Sequence, residues 1–225
     1  MNIGLLIAGG VGQRMGQEIP KQFININDKP VIIYTLEAFQ NHPDIDAIAV
    51  VCLDGWHHVL DVYAKQFNIT KLKYIVSGGE NGQGSIRNGV YELEKHFDSD
   101  DIVLIHDAIR PMVSEEIISD CIRVTKEKGN AITVIPCAEA MLVSESQTDS
   151  TEIYNRDHLK RTQTPQAFYI KDICDLHREA IEKGILNSVA SCTLMVELGK
   201  EVYFSKGSEK NVKLTTVEDL DIFKA

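Results

Sequence analysis

The stretch from Ile3 to Phe23, IGLLIAGGVGQRMGQEIPKQF, decides how the rest of the chain is read. Leu5 to Ala8 is a short apolar run of the kind that forms a strand buried on both faces of a parallel sheet. It passes directly into Gly9, Gly10, Gly12 and Gly16, with Arg14 among the glycines and Lys21 just beyond them. Glycines let backbone amides approach a ligand closely, and successive N–H groups form an anion nest. Two cations in and beside such a nest make phosphate its natural guest. The plain alternative is a glycine-rich turn that binds nothing, because a glycine loop alone is weak evidence.

Two familiar phosphate loops do not fit. A Walker A loop needs G-x-x-x-x-G-K-[ST], and the chain contains none. A dinucleotide fingerprint needs G-x-G-x-x-G. Here Gly10, Gly12 and Gly16 are spaced one residue too far, and Arg14 stands where close helix packing is needed.

Outward from the loop, strands and helices alternate. Pro30, at a first helical position, is followed by Val31, Ile32, Thr35, Leu36 and Phe39 at helical spacing, which predicts a helix over about 30–40. Ala47–Cys52 is a second buried strand, Trp56–Phe67 a helix and Lys71–Val76 a third strand. Ser77-Gly78-Gly79 closes that strand much as Gly9-Gly10 closes the first. Gln83–Lys95 is a helix, Asp101–His106 a strand, and Ser114 caps a helix reaching about Lys128, with Glu115 and Glu116 at its positive end. Ala131–Ile135 is a fifth strand. This rhythm predicts an α/β fold, a doubly wound, Rossmann-like, mainly parallel sheet with ligands at the carboxyl ends of its strands. Both Gly-Gly turns and His106-Asp107-Ala108 fall at such ends, so they can share one crevice.

From Pro136 to about Leu159 the pattern changes to short alternating pieces, Met141–Val143 and Thr151–Tyr154, around a polar tip. This reads as a hairpin projecting from the sheet, either a surface excursion or an arm that grips a partner. Lys171–Lys183, closed by Gly184, and Ser188–Leu198 read as helices, and Glu201–Ser205 as a short strand. Thr216 to Asp219 opens a last helix in a capping-box pattern.

With 225 residues, one domain spanning 1–225 is the economical expectation, with the arm at about 136–159. Net charge is −10 and no run of Lys or Arg exists, so nucleic acid is a poor partner. An anionic nucleotide would instead have to meet a local cluster of cations. No apolar run approaches the ~18 residues that span a bilayer, and the opening MNIGLLIAGG lacks the charged start and long apolar core of a signal peptide. Five scattered cysteines with no C-x-x-C pair suit reduced, buried thiols, and a cytoplasmic location is expected.

Further motifs carry chemistry. A carboxylate such as Asp107, at a strand's carboxyl end beside a phosphate nest, suits a metal or a sugar hydroxyl. Arg110 could pair with Asp107 or meet a substrate, and His106 reads as a packing residue. Ser85 could cap a helix. Lys206-Gly-Ser and Asn211-Val-Lys213-Leu-Thr add a late cation.

Taken in order, these pieces resemble one family. Ala8–Gly16 followed by Pro20-Lys-Gln-Phe23 is similar to the signature small-Gly-Gly-x-Gly-x-Arg-Met-Gly, then Pro-Lys-Gln-Phe, of cytidylyltransferases that act on polyol phosphates. The best-known members act on 2-C-methyl-D-erythritol 4-phosphate, and close relatives act on ribitol 5-phosphate. Ser77-Gly-Gly-Glu80 with Ser85, His106-Asp-Ala-Ile-Arg-Pro111, Gln163-Thr-Pro-Gln-Ala-Phe168, which the resemblance makes a turn shaping the floor of the site, and the Lys213 segment resemble the family's remaining motifs, so the likeness covers nearly the whole chain.

The resemblance implies transfer of CMP from CTP to a polyol phosphate, with release of pyrophosphate and with Mg²⁺ bridging the triphosphate. By the same likeness Arg14 lies on the leaving phosphates, Lys21 near the α-phosphate and Lys213 on the α-phosphate from the opposite side. Ala8, Gly9, Gly10 and Gly12 would cradle CTP, Gly79, Glu80 and Ser85 would read the cytosine, and Ala108 would meet the ribose. Asp107, Arg110 and Thr164 would face the acceptor, Asp107 also being the candidate metal ligand. Arg156, in the arm, would reach the acceptor phosphate of a second copy across a homodimer.

Three departures stand out. The loop Glu80–Gly84 lacks the family's usual Arg. Glu139-Ala140 replaces Asp-Thr at the arm's base, and Ser188-Val-Ala-Ser-Cys192 replaces Thr-Asp-Asp/Glu-Ala. The last two fall on the acceptor side, which favours ribitol 5-phosphate or a glycerol phosphate, as used for surface polysaccharide, over the isoprenoid precursor methylerythritol 4-phosphate. Two other classes compete. A nicotinamide oxidoreductase fails on glycine spacing. A catalytically inactive nucleotide-binding module predicts loss of the transferring cations, yet Arg14, Lys21, Arg156 and Lys213 are all present.

Overall fold

In the computed structural model, which describes residues 1–10 and 19–224, the first strand, β1 (Asn2–Ala8), is buried along nearly its whole length. Ile3 and Leu5 pack into one helical layer, while Leu6 and Ala8 pack into the other. Gly4 sits under the Phe39 ring, where a Cβ would lie 2.6 Å from the ring edge, so the adjoining helix can lie close to the strand.

A short antiparallel ribbon, β2 (Asn25–Ile26) with β3 (Lys29–Pro30), leads to α1 (Val31–Asn41). Then follow β4 (Ala47–Cys52), α2 (His57–Gln66), β5 (Leu72–Ser77), α3 (Gly82–Glu94), β6 (Ile102–Asp107), α4 (Glu115–Lys128) and β7 (Asn130–Pro136). The chain next forms the ribbon β8 (Met141–Val143) and β9 (Glu152–Tyr154), then β10 (Lys160–Tyr169), α5 (Ile170–Glu182), α6 (Ser191–Glu197), β11 (Phe204–Lys206) and α7 (Val217–Lys224).

Among the described residues, seven strands make one sheet in the order β11-β7-β10-β6-β1-β4-β5. All neighbouring pairs are parallel except those made by β10, which runs antiparallel between β6 and β7. Side chains of α1, α2 and α4 fill one layer, and those of α3, α5 and α6 fill the other. From β1 the chain steps outward to β4 and β5, then returns to place β6 on the other side of β1. The crevice at the carboxyl ends of β1 and β6 is therefore a topological switch point, where such sheets bind ligands.

The expected doubly wound, mainly parallel sheet is the observed one. β10 differs from expectation: Gln163–Phe168, read as a turn, belongs to a ten-residue central strand. Its polar residues and Pro165 argue against a central strand, and the structure accommodates them by a break in register between Thr162 and Gln166. Pro30 precedes the first helical residue rather than occupying it. α6 starts three residues later than expected, at Ser191. The capping box of α7 is present, with the Asp219 carboxylate accepting from the Thr215 and Thr216 amides at 2.7 and 2.8 Å. The arm projects as β8 paired with β9, with Leu142 and Ile153 opposite each other and exposed. All five cysteines are free and buried. No helix among the described residues is long and apolar enough to cross a membrane.

Candidate active site

A cleft of about 630 Å³ opens at the carboxyl ends of the strands. Ala8 ending β1 with Gly9 and Gly10 beyond it, Gly79 and Glu80 after β5, His106 and Asp107 ending β6, and Lys21 and Lys213 all contribute to its wall. The shared crevice expected from the strand ends is thus formed.

On one side the two Gly-Gly turns pack against each other. A Cβ on Gly9 would lie 3.3 Å from Ser85 Oγ and 3.5 Å from Gly78 Cα, and a Cβ on Gly79 would lie 2.4 Å from the Gly84 carbonyl carbon. At Gly79 only glycine tolerates the approach, and at Gly9 a side chain would press on Ser85. The Ser85 hydroxyl accepts a hydrogen bond from the Gly79 amide at 3.0 Å. Ser85 is not the helix cap, because Asn81 takes that place and accepts from the Gly84 amide at 2.9 Å. The Asn-Gly-Gln-Gly-Ser sequence puts a better capping side chain four residues earlier. That leaves Ser85 in the first turn, bracing the turn that faces the cleft.

On the other side, charge is concentrated around Asp107. Its carboxylate receives Arg110 Nε at 3.0 Å and Lys213 Nζ at 3.1 Å. Burial alone would raise this carboxyl's pKa, but the neighbouring Lys213 and Arg110 outweigh it and hold the group below the ordinary range. Arg110 also donates to the Asn211 carbonyl at 2.7 Å. Of its two readings the pairing with Asp107 is therefore formed. Lys213 is tethered but half-exposed, so its ammonium can exchange Asp107 for a phosphate.

Thr164 and His106 lie behind this cluster. The Thr164 hydroxyl accepts from the Asp107 amide at 3.0 Å and bonds His106 Nδ1 at 3.0 Å. The Arg110 carbonyl can only accept, so Nε2 carries the ring hydrogen and donates to it at 3.2 Å, which leaves Nδ1 to accept from the Thr164 hydroxyl. Burial pushes His106 down to about 4. It is a neutral strut near neutral pH, as its reading as a packing residue requires. Burial also raises Cys52, Cys121 and Cys174 to about 12. They are poor nucleophiles, consistent with a site that works by positioning and charge.

Four buried glutamines received no individual role from the sequence, yet they hold the cleft together. Gln22 donates to the Ala8 and Gly10 carbonyls at 2.7 and 3.0 Å, pinning the entry of the glycine loop. Gln163 donates to the Ser208 carbonyl at 2.8 Å and accepts from the Ser208 amide, fixing the segment that carries Lys213. Gln83 and Gln166 accept from the Ser188 and Cys192 amides at 2.7 and 3.0 Å. The signal available in sequence was a polar amide standing inside an otherwise apolar or glycine-rich motif.

The expected site residues divide as follows. Ala8, Gly9, Gly10, Lys21, Gly79, Glu80, Ser85, Asp107, Arg110, Thr164 and Lys213 line the cleft. Gly12 and Arg14 lie outside the described residues. Ala108 is fully buried beside the cleft, its amide bonded to the Ile7 carbonyl and its own carbonyl to Thr35. Arg156 sits in the exposed arm, bonded to the Ala138 carbonyl and away from its own chain's cleft. Among the described residues no group of three or more His, Cys, Asp or Glu side chains could hold a metal. The carboxylates on the wall are Asp107 and Glu80. That donor set fits an ion carried mainly by substrate phosphates, as is common for Mg²⁺.

The chain matches the family model for 2-C-methyl-D-erythritol 4-phosphate cytidylyltransferase over residues 3–225. A ribitol-5-phosphate cytidylyltransferase of Lacticaseibacillus paracasei is 46% identical, the match covering 100% of this chain and 97% of the relative. One of Vibrio parahaemolyticus is 41% identical, covering 100% and 95%. A 2-C-methyl-D-erythritol 4-phosphate cytidylyltransferase of Clostridium botulinum is 35% identical, covering 97% and 94%. In fold, the chain is similar to the crystal structure of a 4-diphosphocytidyl-2C-methyl-D-erythritol synthase from Anaerococcus prevotii, with TM-score 0.84, 23% identity, and coverage of 99% and 94%. With the glycine turns, the Asp107–Lys213 pair and the switch-point cleft in place, the chain belongs to the 2-C-methyl-D-erythritol 4-phosphate cytidylyltransferase family of CTP-dependent nucleotidyltransferases.

Proposed function

We propose that the protein is a ribitol-5-phosphate cytidylyltransferase, acting in the cytoplasm as one 1–225 domain. The observation that carries this reading is identity of 41–46% over the full chain to relatives of that name, against 35% for those named for methylerythritol phosphate. The replacements at Glu139-Ala140 and Ser188–Cys192 point the same way, since they alter the acceptor side and spare the nucleotide side.

In this reading an oxygen of the acceptor phosphate attacks the α-phosphorus of CTP in line. The bond to the bridging oxygen breaks and pyrophosphate leaves, giving CDP-ribitol. Gly9, Gly10 and Gly12 cradle the triphosphate, with Arg14 and Lys21 countering its charge. Gly79, Glu80 and Ser85 accommodate the cytosine, and the ribose lies toward Ala108. Lys213 leaves Asp107 for the α-phosphate and neutralises charge that grows in the transition state. Asp107, Arg110 and Thr164 then face the acceptor. Mg²⁺ would be held by CTP oxygens with Asp107 beside it, and when bound it neutralises charge on the triphosphate.

Arg156 completes the site from a second copy in a homodimer formed through the arm. The exposed apolar faces of Leu142, Ile153 and Tyr154 support this, because an unpaired ribbon edge with apolar side chains favours association. The test is incubation with CTP, Mg²⁺ and ribitol 5-phosphate, with CDP-ribitol identified by mass and ATP, UTP and GTP as controls. Pyrophosphate release with glycerol phosphate or methylerythritol 4-phosphate but not ribitol 5-phosphate would reject this acceptor.

A further inference from the structure

Among the described residues, buried polar side-chain atoms without a hydrogen-bonding partner occur on His177, Ser191 and Asn211. Of these, only Ser191 lines the cleft. It opens α6 and is 3% exposed, and its Oγ has no partner among the described residues. An unpaired buried hydroxyl is costly, and native proteins rarely keep one without a use for it.

The surroundings define what that use can be. The backbone on either side is fixed: Gln83 accepts from the Ser188 amide, Gln166 accepts from the Cys192 amide, and Thr193 Oγ1 accepts from the Ala190 amide at 2.9 Å. This wall of the cleft, formed by Thr162, Gln163, Gln166, Val189, Ala190 and Ser191, carries no charged side chain. It suits hydroxyl groups, whereas the charged side chains Lys21, Glu80, Asp107, Arg110 and Lys213 are elsewhere on the wall. Gln163 and Gln166 already spend their amides on backbone groups. Ser191 is the hydroxyl held in reserve. It is covered in this conformation, and a rotation about Cα–Cβ, which breaks no hydrogen bond to a described residue, would turn it toward a ligand.

We propose that Ser191 is a specificity-determining residue whose hydroxyl hydrogen-bonds a hydroxyl of the acceptor polyol. This rests on the ribitol 5-phosphate reading above. Ser191→Ala removes a hydroxyl with no partner among the described residues, so the variant should fold and melt no lower than the wild type. Its KM for ribitol 5-phosphate should rise about 10-fold, the loss of one hydrogen bond, while its KM for CTP stays unchanged. With a set of monodeoxy ribitol 5-phosphates, one analogue should give the same KM for variant and wild type, identifying the hydroxyl that is read. A lowered melting temperature with an unmoved acceptor KM would make Ser191 structural and overturn the proposal. A raised KM for CTP alone would place Ser191 on the nucleotide and also overturn it. If the wild-type protein does not use ribitol 5-phosphate, the functional reading fails and this inference with it. If the wild type turns over and Ser191→Ala matches it in both KM values, this inference alone fails.

Discussion

Replacing Gly79 by alanine would put a methyl group where no room exists. The added carbon would lie 2.4 Å from the Gly84 carbonyl carbon, 2.7 Å from the Ser85 nitrogen and 2.8 Å from Gly84 Cα. All three are backbone atoms at the start of α3, so no side chain can swing aside. Ordinary contact begins at 3.4 Å, so the β5–α3 turn and the helix must part by about 1 Å. That movement opens the 3.0 Å bond from the Gly79 amide to Ser85 and shifts the wall assigned to cytosine. A misplacement of about 1 Å costs roughly 100-fold in rate, whereas overpacking costs about 1–3 kcal/mol of stability. Gly79→Ala should therefore fold with a lower melting temperature and lose about 100-fold in kcat/KM for CTP. Gly82→Ala is the control for stability, since a Cβ there meets nothing within 4 Å. The assay is pyrophosphate release at varied CTP, alongside thermal melting by circular dichroism. An unchanged kcat/KM in Gly79→Ala would refute the assignment of this turn to the nucleotide.

Lys213→Ala should lower kcat about 100- to 1,000-fold through loss of transition-state charge stabilisation, yet cost far less in stability, because Arg110 still pairs with the Asp107 carboxylate. Wild-type turnover in that variant would remove Lys213 from the phosphate clamp. Mixing Arg156→Ala with Lys213→Ala protomers should restore about a quarter of wild-type activity, because half the dimers are mixed and each holds one intact crossed site. Absence of rescue, with mixed dimers confirmed, would contradict an arm that completes the neighbouring site. His106 and His177 are each held at about 4, well below the ordinary 6.5, mainly by burial. The unfolded chain takes up these protons first, so stability is unaffected above 6.5 and falls as pH drops from 6.5 toward 4. Each histidine contributes about 3 kcal/mol to that loss at 1.36 kcal/mol per pH unit. His177→Leu should flatten the urea-unfolding profile over this window by one proton, and an unaltered slope would contradict the buried neutral imidazole.

What the sequence made legible follows from how each element is buried. β1, β4 and β6 are continuous apolar runs bounded by glycine or acidic residues, because both faces pack against helices, and such runs announce themselves. β10 is equally central but reads as a turn, since Gln163, Thr164 and Pro165 serve the cleft instead of the core. The two Gly-Gly turns and Asp107 were legible because strand ends fix where they converge. The fourfold use of glutamine was not, because a glutamine reveals itself as a clamp only once the carbonyls and amides it holds are known. Ser85 illustrates the same limit: its contact with Gly79 depends on Asn81 having taken the cap. Arg14 and Gly12, central to the motif, lie outside the described residues, so their role rests on the resemblance.

The most direct test of the central claim is a competition in one reaction, with CTP and Mg²⁺ limiting and equal ribitol 5-phosphate and methylerythritol 4-phosphate. Products are separated and the ratio of kcat/KM values is read from their amounts. The expected result is CDP-ribitol as the dominant product, with pyrophosphate released in equal amount. Dominance of the methylerythritol product, or no CMP transfer to either acceptor, would contradict it.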